Sequence, residues 1–243
     1  MISRILDFVF PPRCTVCDHV LPILPENCHL RICPGCRKEL IFIKDPFCMK
    51  CGKPLQSDSA EYCDDCKGRK HLFCSGRSVF VYHGKIKDAM YRFKYGNRRE
   101  YAAFFAEAAY QKRSTWIRSI SPDLIVPVPL HPSKKRIRGY NQAEDFAREL
   151  SRISGIPMDP RFVQRVRKTV PMKGLSESER RQNVKNAFSV SSGRYPIGKR
   201  PLRILLTDDI YTTGSTVDAI CGAIRKEYPA EIFFLSISIG KNI

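Results

Sequence analysis

The chain has 243 residues, 43% of them hydrophobic, enough to bury more than one core. Its net charge is 42 − 24 = +18, large for this length, which points to anionic partners. No run approaches the roughly 18 apolar residues of a membrane span, so membrane insertion is not expected.

The N-terminal stretch MISRILDFVFPPRC is apolar on one face and is stopped early by Pro11 and Pro12. It lacks a small-residue cleavage site, so a short helix or strand packed on a neighbouring domain is expected rather than a signal peptide. Eight of the 11 cysteines then fall into four CxxC pairs: Cys14/Cys17, Cys33/Cys36, Cys48/Cys51 and Cys63/Cys66. A CxxC turn aims two thiolates at one point, and two such knuckles supply the tetrahedral sulfur shell of a structural zinc. With nothing to indicate secretion, the pattern fits metal binding in a reducing cytoplasm. The knuckles are separated by 15, 11 and 11 residues. Sequential pairing is expected, giving two zincs; crossed pairing of first with third and second with fourth stays open, as does an iron–sulfur centre. Residues 1–75 hold too few large apolar side chains for an independent core, so metal binding would supply most of their folding energy. Cys28, Cys74 and Cys221 read as lone buried thiols, and His19, His29 and His71 as surface or turn residues.

From about Gly76 the pattern changes to that of a second module, residues 76–243. Ser78–Gly84 reads as a short strand, and the following segment as an amphipathic helix ending near Gly96. A second helix is expected from Glu100 to about Trp116. Asp123–Leu130 is a β-branched apolar run of the kind buried in a parallel sheet. Asn141–Ser154 reads as helix, RFVQRV as strand, and Ser176 to about Asn186 as a polar helix. RILLTDD is a strand ending at Asp208-Asp209, Ser215–Glu227 a helix, and EIFFLSISI a final strand. The alternation predicts an α/β fold with a mostly parallel sheet.

Ligands of such sheets bind beyond the carboxyl ends of the strands, and two ends carry chemistry. After Asp208 and Asp209 come Thr212, Thr213, Gly214, Ser215 and Thr216, leading into a helix. Helix-start N–H groups, hydroxyls and a glycine make a phosphate cradle. Two carboxylates one step earlier suit vicinal hydroxyls or a metal ion, so a ribose 5-phosphate satisfies both demands. A simple N-cap needs only one such residue. The other end is PVPLHPSKKRIRGYNQ, with Lys134, Lys135, Arg136 and Arg138. It opens a segment, His131 to Arg203, with 18 Lys+Arg against 6 Asp+Glu. A solvated basic face is the bland account; a phosphate or nucleic-acid ligand better explains the concentration.

ILLTDDIYTTGST, Ile204 to Thr216, resembles the signature of type I phosphoribosyltransferases, which bind phosphoribosyl pyrophosphate (PRPP). The resemblance implies that Asp208 and Asp209 hold the ribose hydroxyls, that Thr212–Thr216 wrap the 5-phosphate, and that Mg²⁺ bridges hydroxyls and pyrophosphate. YHGKIKDAMYRFKYGNR, PVPLHPSKKRIRGYNQAEDFA and GLSESERRQNVKNAF, behind paired knuckles, resemble the ComF (ComFC) competence family across essentially the whole chain. The chain departs from that family at VPMKG, where a glutamine commonly precedes GLS. By this resemblance the basic residues after PVPL face a diphosphate or a DNA backbone, and Arg138, Tyr140 and Asn141 could bind phosphate or stack on a base. Arg165–Arg181 corresponds to a mobile loop, and Arg180 and Asn183 match the family's ER..N pattern.

Two functions follow as expectations. One is a cytoplasmic protein of natural transformation that engages single-stranded DNA, with DNA-uptake or helicase proteins as partners. Tyr82, Tyr91, Phe93, Lys94, Tyr95, Arg98 and Arg99 interleave rings and charges as single strands require, although helical spacing also suits a core. The other is an active phosphoribosyltransferase, orienting an amine or base behind C1 of the ribose and stabilising departing pyrophosphate.

Overall fold

The computed structural model describes residues 11–22, 31–168 and 177–240. The apolar N-terminal segment through residue 10, Cys28 with His29, and the VPMKG stretch lie outside them.

The described residues of the cysteine-rich part hold little regular structure. Helix α1 (Pro34–Glu39) starts at the second knuckle, where Cys33 caps it by accepting from the Cys36 amide and Pro34 sits in the first turn. Helix α2 (Asp64–Lys67) starts at the fourth knuckle, with Asp64 and Asp65 at the end of the helix dipole that favours acids.

A four-stranded sheet follows, in the order β1 (Gly76–Val81), β6 (Ala230–Ile239), β5 (Leu202–Tyr211), β2 (Leu124–Pro127), and every neighbouring pair is parallel. Helices α3 (Gly84–Tyr95), α4 (Tyr101–Ile120), α6 (Gln142–Ser154) and α8 (Ser215–Glu227) cover it. The expected α/β fold with a parallel sheet is therefore observed.

Side chains alternate across a strand, so Leu205 and Leu235 join one core while Leu206 and Phe234 join the other. The first core takes in Phe80, Phe93, Phe105 and Phe146 together with Cys14 and Cys36. The second takes in Phe73, Val217 and Ile220 together with Cys48, Cys51 and Cys63. The cysteine-rich part thus straddles edge strand β1 and sends one cluster to each face. Its middle segment also covers that edge, the Ile43 amide donating to Val79 O at 2.9 Å.

Several expected elements are corrected. β5 runs on to Tyr211 instead of ending at the aspartates, because Ile210 and Tyr211 still pair with Ser238 and Ile239 of β6. RFVQRV yields β3 (Val163–Arg165), which joins the unforeseen β4 (Phe188–Val190) in a separate antiparallel pair rather than the main sheet. The basic stretch after Leu130 is a short helix, α5 (Pro132–Arg138), started by the His131 side chain and Pro132 and ended by Gly139 at φ +83°. Helix α4 reaches Ile120, beyond the expected Trp116, and α7 (Glu177–Val184) lies within the polar segment assigned as helix.

Candidate functional site

The eight paired cysteines converge sequentially. Sγ atoms of Cys14, Cys17, Cys33 and Cys36 lie within 4.8 Å of one another, as do those of Cys48, Cys51, Cys63 and Cys66. The Cys17–Cys33 and Cys51–Cys63 sulfur pairs stand at 3.9 and 3.6 Å. Four thiolates about 2.3 Å from a tetrahedral zinc sit about 3.8 Å apart, so both sets fit the metal. Crossed pairing is thereby excluded, and a full sulfur shell marks each site as structural. The clusters differ in shielding: Cys48 and Cys51 are buried, whereas Cys17 is exposed.

Two lone side chains depart from expectation. Cys74 is exposed rather than buried, whereas Cys221 is buried, which pushes its thiol pKa up. His71 is not a surface residue: its side chain is 1% exposed and its Nδ1 lies 2.8 Å from Asp218 Oδ2.

At the carboxyl end of β5 the residues expected to hold phosphate line a small cleft, made by Asp208 and residues 210–217. Gly214 stands before α8 at φ +78°, and a Cβ there would meet the Tyr211 hydroxyl at 2.7 Å, so only glycine fits. Thr213 and Ser215 hydroxyls lie 3.1 Å apart, beside the unpaired first-turn N–H groups that a helix start presents. Asp208 accepts from the Asp209 amide at 2.8 Å. Burial, and then the charge of Asp209, raise its pKa to about 7, opposed by Lys94 and Arg165. Lys94, from the last turn of α3, holds Asp209 at 3.0 Å.

The basic residues divide. Burial, then the charges of Arg165, Arg138 and Lys168, keep the Lys134 ammonium below its usual range. Lys134, Arg138 and Arg165 therefore share one positive region, and Arg165 also feels the charge of Asp208. Lys135 instead pairs with Glu144 at 2.9 Å, while Arg136 is exposed. In the sequence Arg165 reads only as the end of the strand RFVQRV and the start of the basic loop, so nothing there marks it as a neighbour of Asp208.

Tyr140 and Asn141 are corrections. Tyr140 is 3% exposed and donates its hydroxyl to Phe93 O, so its ring is core and cannot stack on a base. Asn141 caps α6, accepting from Ala143 N and donating to Val128 O at 3.0 Å, which fastens the end of PVPL and gives its side chain a structural role. Arg180 and Asn183 both lie on α7, and the side chain of Arg180 is outside the described residues.

The interleaved aromatic segment also splits. Phe93 is buried, Arg98 pairs with Asp18 at 2.8 Å, and Arg99 grips Asp145 with two bonds of 2.8 and 2.9 Å. Tyr91 and Tyr95 are 64% and 62% exposed, with ring centroids 5.1 Å apart. The Arg138 guanidinium lies over Tyr95 at 4.9 Å, and exposed Lys87 continues the same face one turn back.

Comparison with known proteins finds a double zinc ribbon domain over residues 5–67. Competence protein F of Haemophilus influenzae is 34% identical over 218 residues, covering 88% of this chain and 91% of that protein. DNA utilization protein YhgH of Salmonella typhimurium is 29% identical, covering 91% of this chain and 94% of its own length. Competence protein ComFC of Bacillus subtilis is 27% identical, covering 77% and 75%. Among solved structures, adenine phosphoribosyltransferase from Saccharomyces cerevisiae is 13% identical, covering 71% of this chain and 82% of its own, with a TM-score of 0.39.

Proposed function

Given that this chain belongs to the competence protein F family, we propose that it handles single-stranded DNA in the cytoplasm during DNA uptake and binds PRPP–Mg²⁺ at the end of β5. The observation that carries this reading is helix α3. Its Lys94 holds Asp209 at the end of β5, while Tyr91 and Tyr95 of the same helix present a pair of tilted rings to solvent, with Arg138 over Tyr95. Exposed rings beside cations are what bind single strands without regard to sequence. At the site itself, Asp208 and Asp209 take the ribose diol, the Thr212–Thr216 loop the 5-phosphate, and Lys134, Arg138 and Arg165 the diphosphate. Asp208 and Asp209 would also lie beside an Mg²⁺ arriving with PRPP, which would supply positive charge against the diphosphate. Two structural zincs hold the module of residues 1–75, a contact surface for DNA-uptake or helicase proteins, against the module of residues 76–243.

The second reading is phosphoribosyl transfer to a base or amine. A cleft off the carboxyl ends of β1 and β6 favours it, lined by Lys53, Tyr62, Asp64, Val81 and Gly240 and wide enough for an acceptor. Gly240 donates to Tyr211 O at 2.9 Å, which sets this cleft beside the phosphate loop.

Fluorescence anisotropy of a labelled single-stranded oligonucleotide, titrated with and without PRPP–Mg²⁺, tests the first reading. Binding that weakens with salt and responds to PRPP is expected. No binding at low salt would shift the assignment to the transferase, to be sought as pyrophosphate release in an acceptor screen.

A further inference from the structure

The stretch that follows the second cysteine cluster reaches back to the phosphate loop. Arg69, three residues after Cys66, donates from Nη1 to the Thr213 carbonyl at 2.6 Å. The Leu72 amide donates to Asp218 Oδ1 at 2.8 Å, and His71 Nδ1 lies 2.8 Å from Oδ2 of the same carboxylate. The imidazole stacks on Phe73 with centroids 4.7 Å apart, and Phe73 meets Tyr211 edge-on at 6.2 Å. A Cβ on Gly214 would come within 2.9 Å of His71 Cε1, so this ring forms one wall of the loop.

Apolar packing alone accounts for Phe73, but not for polar groups that end on the loop's own atoms. Asp218 sits in the first turn of α8. An acid there suits the helix dipole yet repels a phosphate bound at the same turn. Both of its oxygens are engaged by residues 71 and 72, which turns that charge toward the cysteine-rich side. Residues 69–73 follow directly on Cys66 and the four-residue α2, so closure of the cluster sets where their course begins.

We propose that His71, together with Arg69, is a positioning group of the phosphate site, and that zinc closure of Cys48, Cys51, Cys63 and Cys66 sets the shape of the Thr212–Thr216 loop. The inference rests on reading that loop as a phosphate site. His71 meets no ligand and acts through Asp218 and Gly214. Linkage makes the effect reciprocal: a ligand on the loop tightens the second cluster's hold on zinc by the factor that zinc lends the ligand.

The test uses full-length, zinc-loaded protein, titrated calorimetrically with PRPP–Mg²⁺ and with ribose 5-phosphate. Zinc loss to a chelator and amide exchange of residues 213–218 are followed in parallel. His71→Ala should weaken both ligands about tenfold, the worth of one buried hydrogen bond, at unchanged zinc content. His71→Asn, whose amide can donate where Nδ1 does, should recover affinity to within about threefold. PRPP–Mg²⁺ should slow zinc loss from the second cluster of the unmodified protein. Wild-type affinity in His71→Ala, or zinc loss indifferent to PRPP, overturns the proposal. If His71→Ala sheds its zinc, the His71→Asn titration and the linkage measurement decide. If the unmodified protein binds neither ligand, the phosphate reading falls, and exchange then decides the clamp: faster exchange at 213–218 in His71→Ala upholds it, unchanged exchange sinks it.

Discussion

Asp208 is an acid whose charge the fold disfavours. Its pKa is raised to about 7, first by burial and then by Asp209, so the fold favours the protonated acid. An unfolded aspartate ionises near pH 3.9. The stability that protonated Asp208 contributes is therefore full below about pH 4, is lost as pH rises toward 7, and stays lost above. Asp208→Asn keeps the shape without the charge. It should raise the melting temperature at pH 8 by about 2–4 °C, what about 1 kcal/mol is worth in a chain of this size, and leave pH 4 nearly unchanged. Calorimetric melts at the two pH values check this. Asp208→Asn with Asp209→Asn should abolish PRPP binding at full zinc content, and retained affinity would refute the site. The same titration predicts that PRPP–Mg²⁺ binding to the unmodified protein strengthens as pH rises through about 7, because the ionised carboxylate is the form that accepts hydrogen bonds from a diol. Calorimetry between pH 6 and 8 reads that trend.

At the scale of elements, the paired cysteines and the parallel sheet were legible in the sequence because both announce themselves locally. A CxxC turn needs only its own residues, and apolar runs such as LIVP and ILL are buried whatever their neighbours. The strand, turn and helix around Asp208–Thr216 were legible for the same reason, the residues of the proposed phosphate loop being contiguous. What was missed depends on long-range contact. Nothing in KGRKHLF distinguishes His71 from His19, yet one meets Asp218 and the other is exposed. Tyr140 and Tyr95 look alike as ring-bearing neighbours of basic residues. Only packing against Phe93 removes the first from solvent and leaves the second under Arg138. The clusters themselves make a prediction. Cys48 and Cys51 are 0% and 1% exposed, while Cys17 is exposed. Zinc release to a chelator should therefore be biphasic, one equivalent leaving faster, and Cys17→Ser should remove the fast phase. Serine at Cys48 and Cys51 should instead eliminate the slow phase and lower solubility. A single phase from the unmodified protein would mean that the two clusters open together.

For the whole molecule the question is how much of its positive charge a nucleic acid can use. The segment from His131 to Arg203 is formally +12, but many of its cations already have partners. Lys135 and Arg148 share Glu144, Arg152 holds Glu149, Arg194 holds Asp159, Arg200 holds Asp123 and Arg203 holds Glu231. These pairs anchor helices and strand ends, and a strand of DNA gains little by breaking them. Arg138 lies over Tyr95, Lys87 is one turn back on the tyrosine helix, and Lys134 and Arg136 share the short helix α5 with Arg138, so these four are the cations offered to a strand on that face. Each phosphate neutralised on a single strand adds about −0.7 to the slope of log K against log salt. Four contacts give a slope of about −3, whereas the full formal charge of the segment would give about −8. Anisotropy titrations at four or five salt concentrations measure it directly. Tyr91→Ala with Tyr95→Ala should weaken binding by about 2–6 kcal/mol, one to three per stacked base, and leave the slope unchanged, because rings contribute no counterion release. Arg138→Ala should lower both affinity and slope. A slope near −8 would instead mean that the strand runs along the whole basic segment and displaces its ion pairs. In that case the tyrosine face would be one contact among many rather than the centre of the interface.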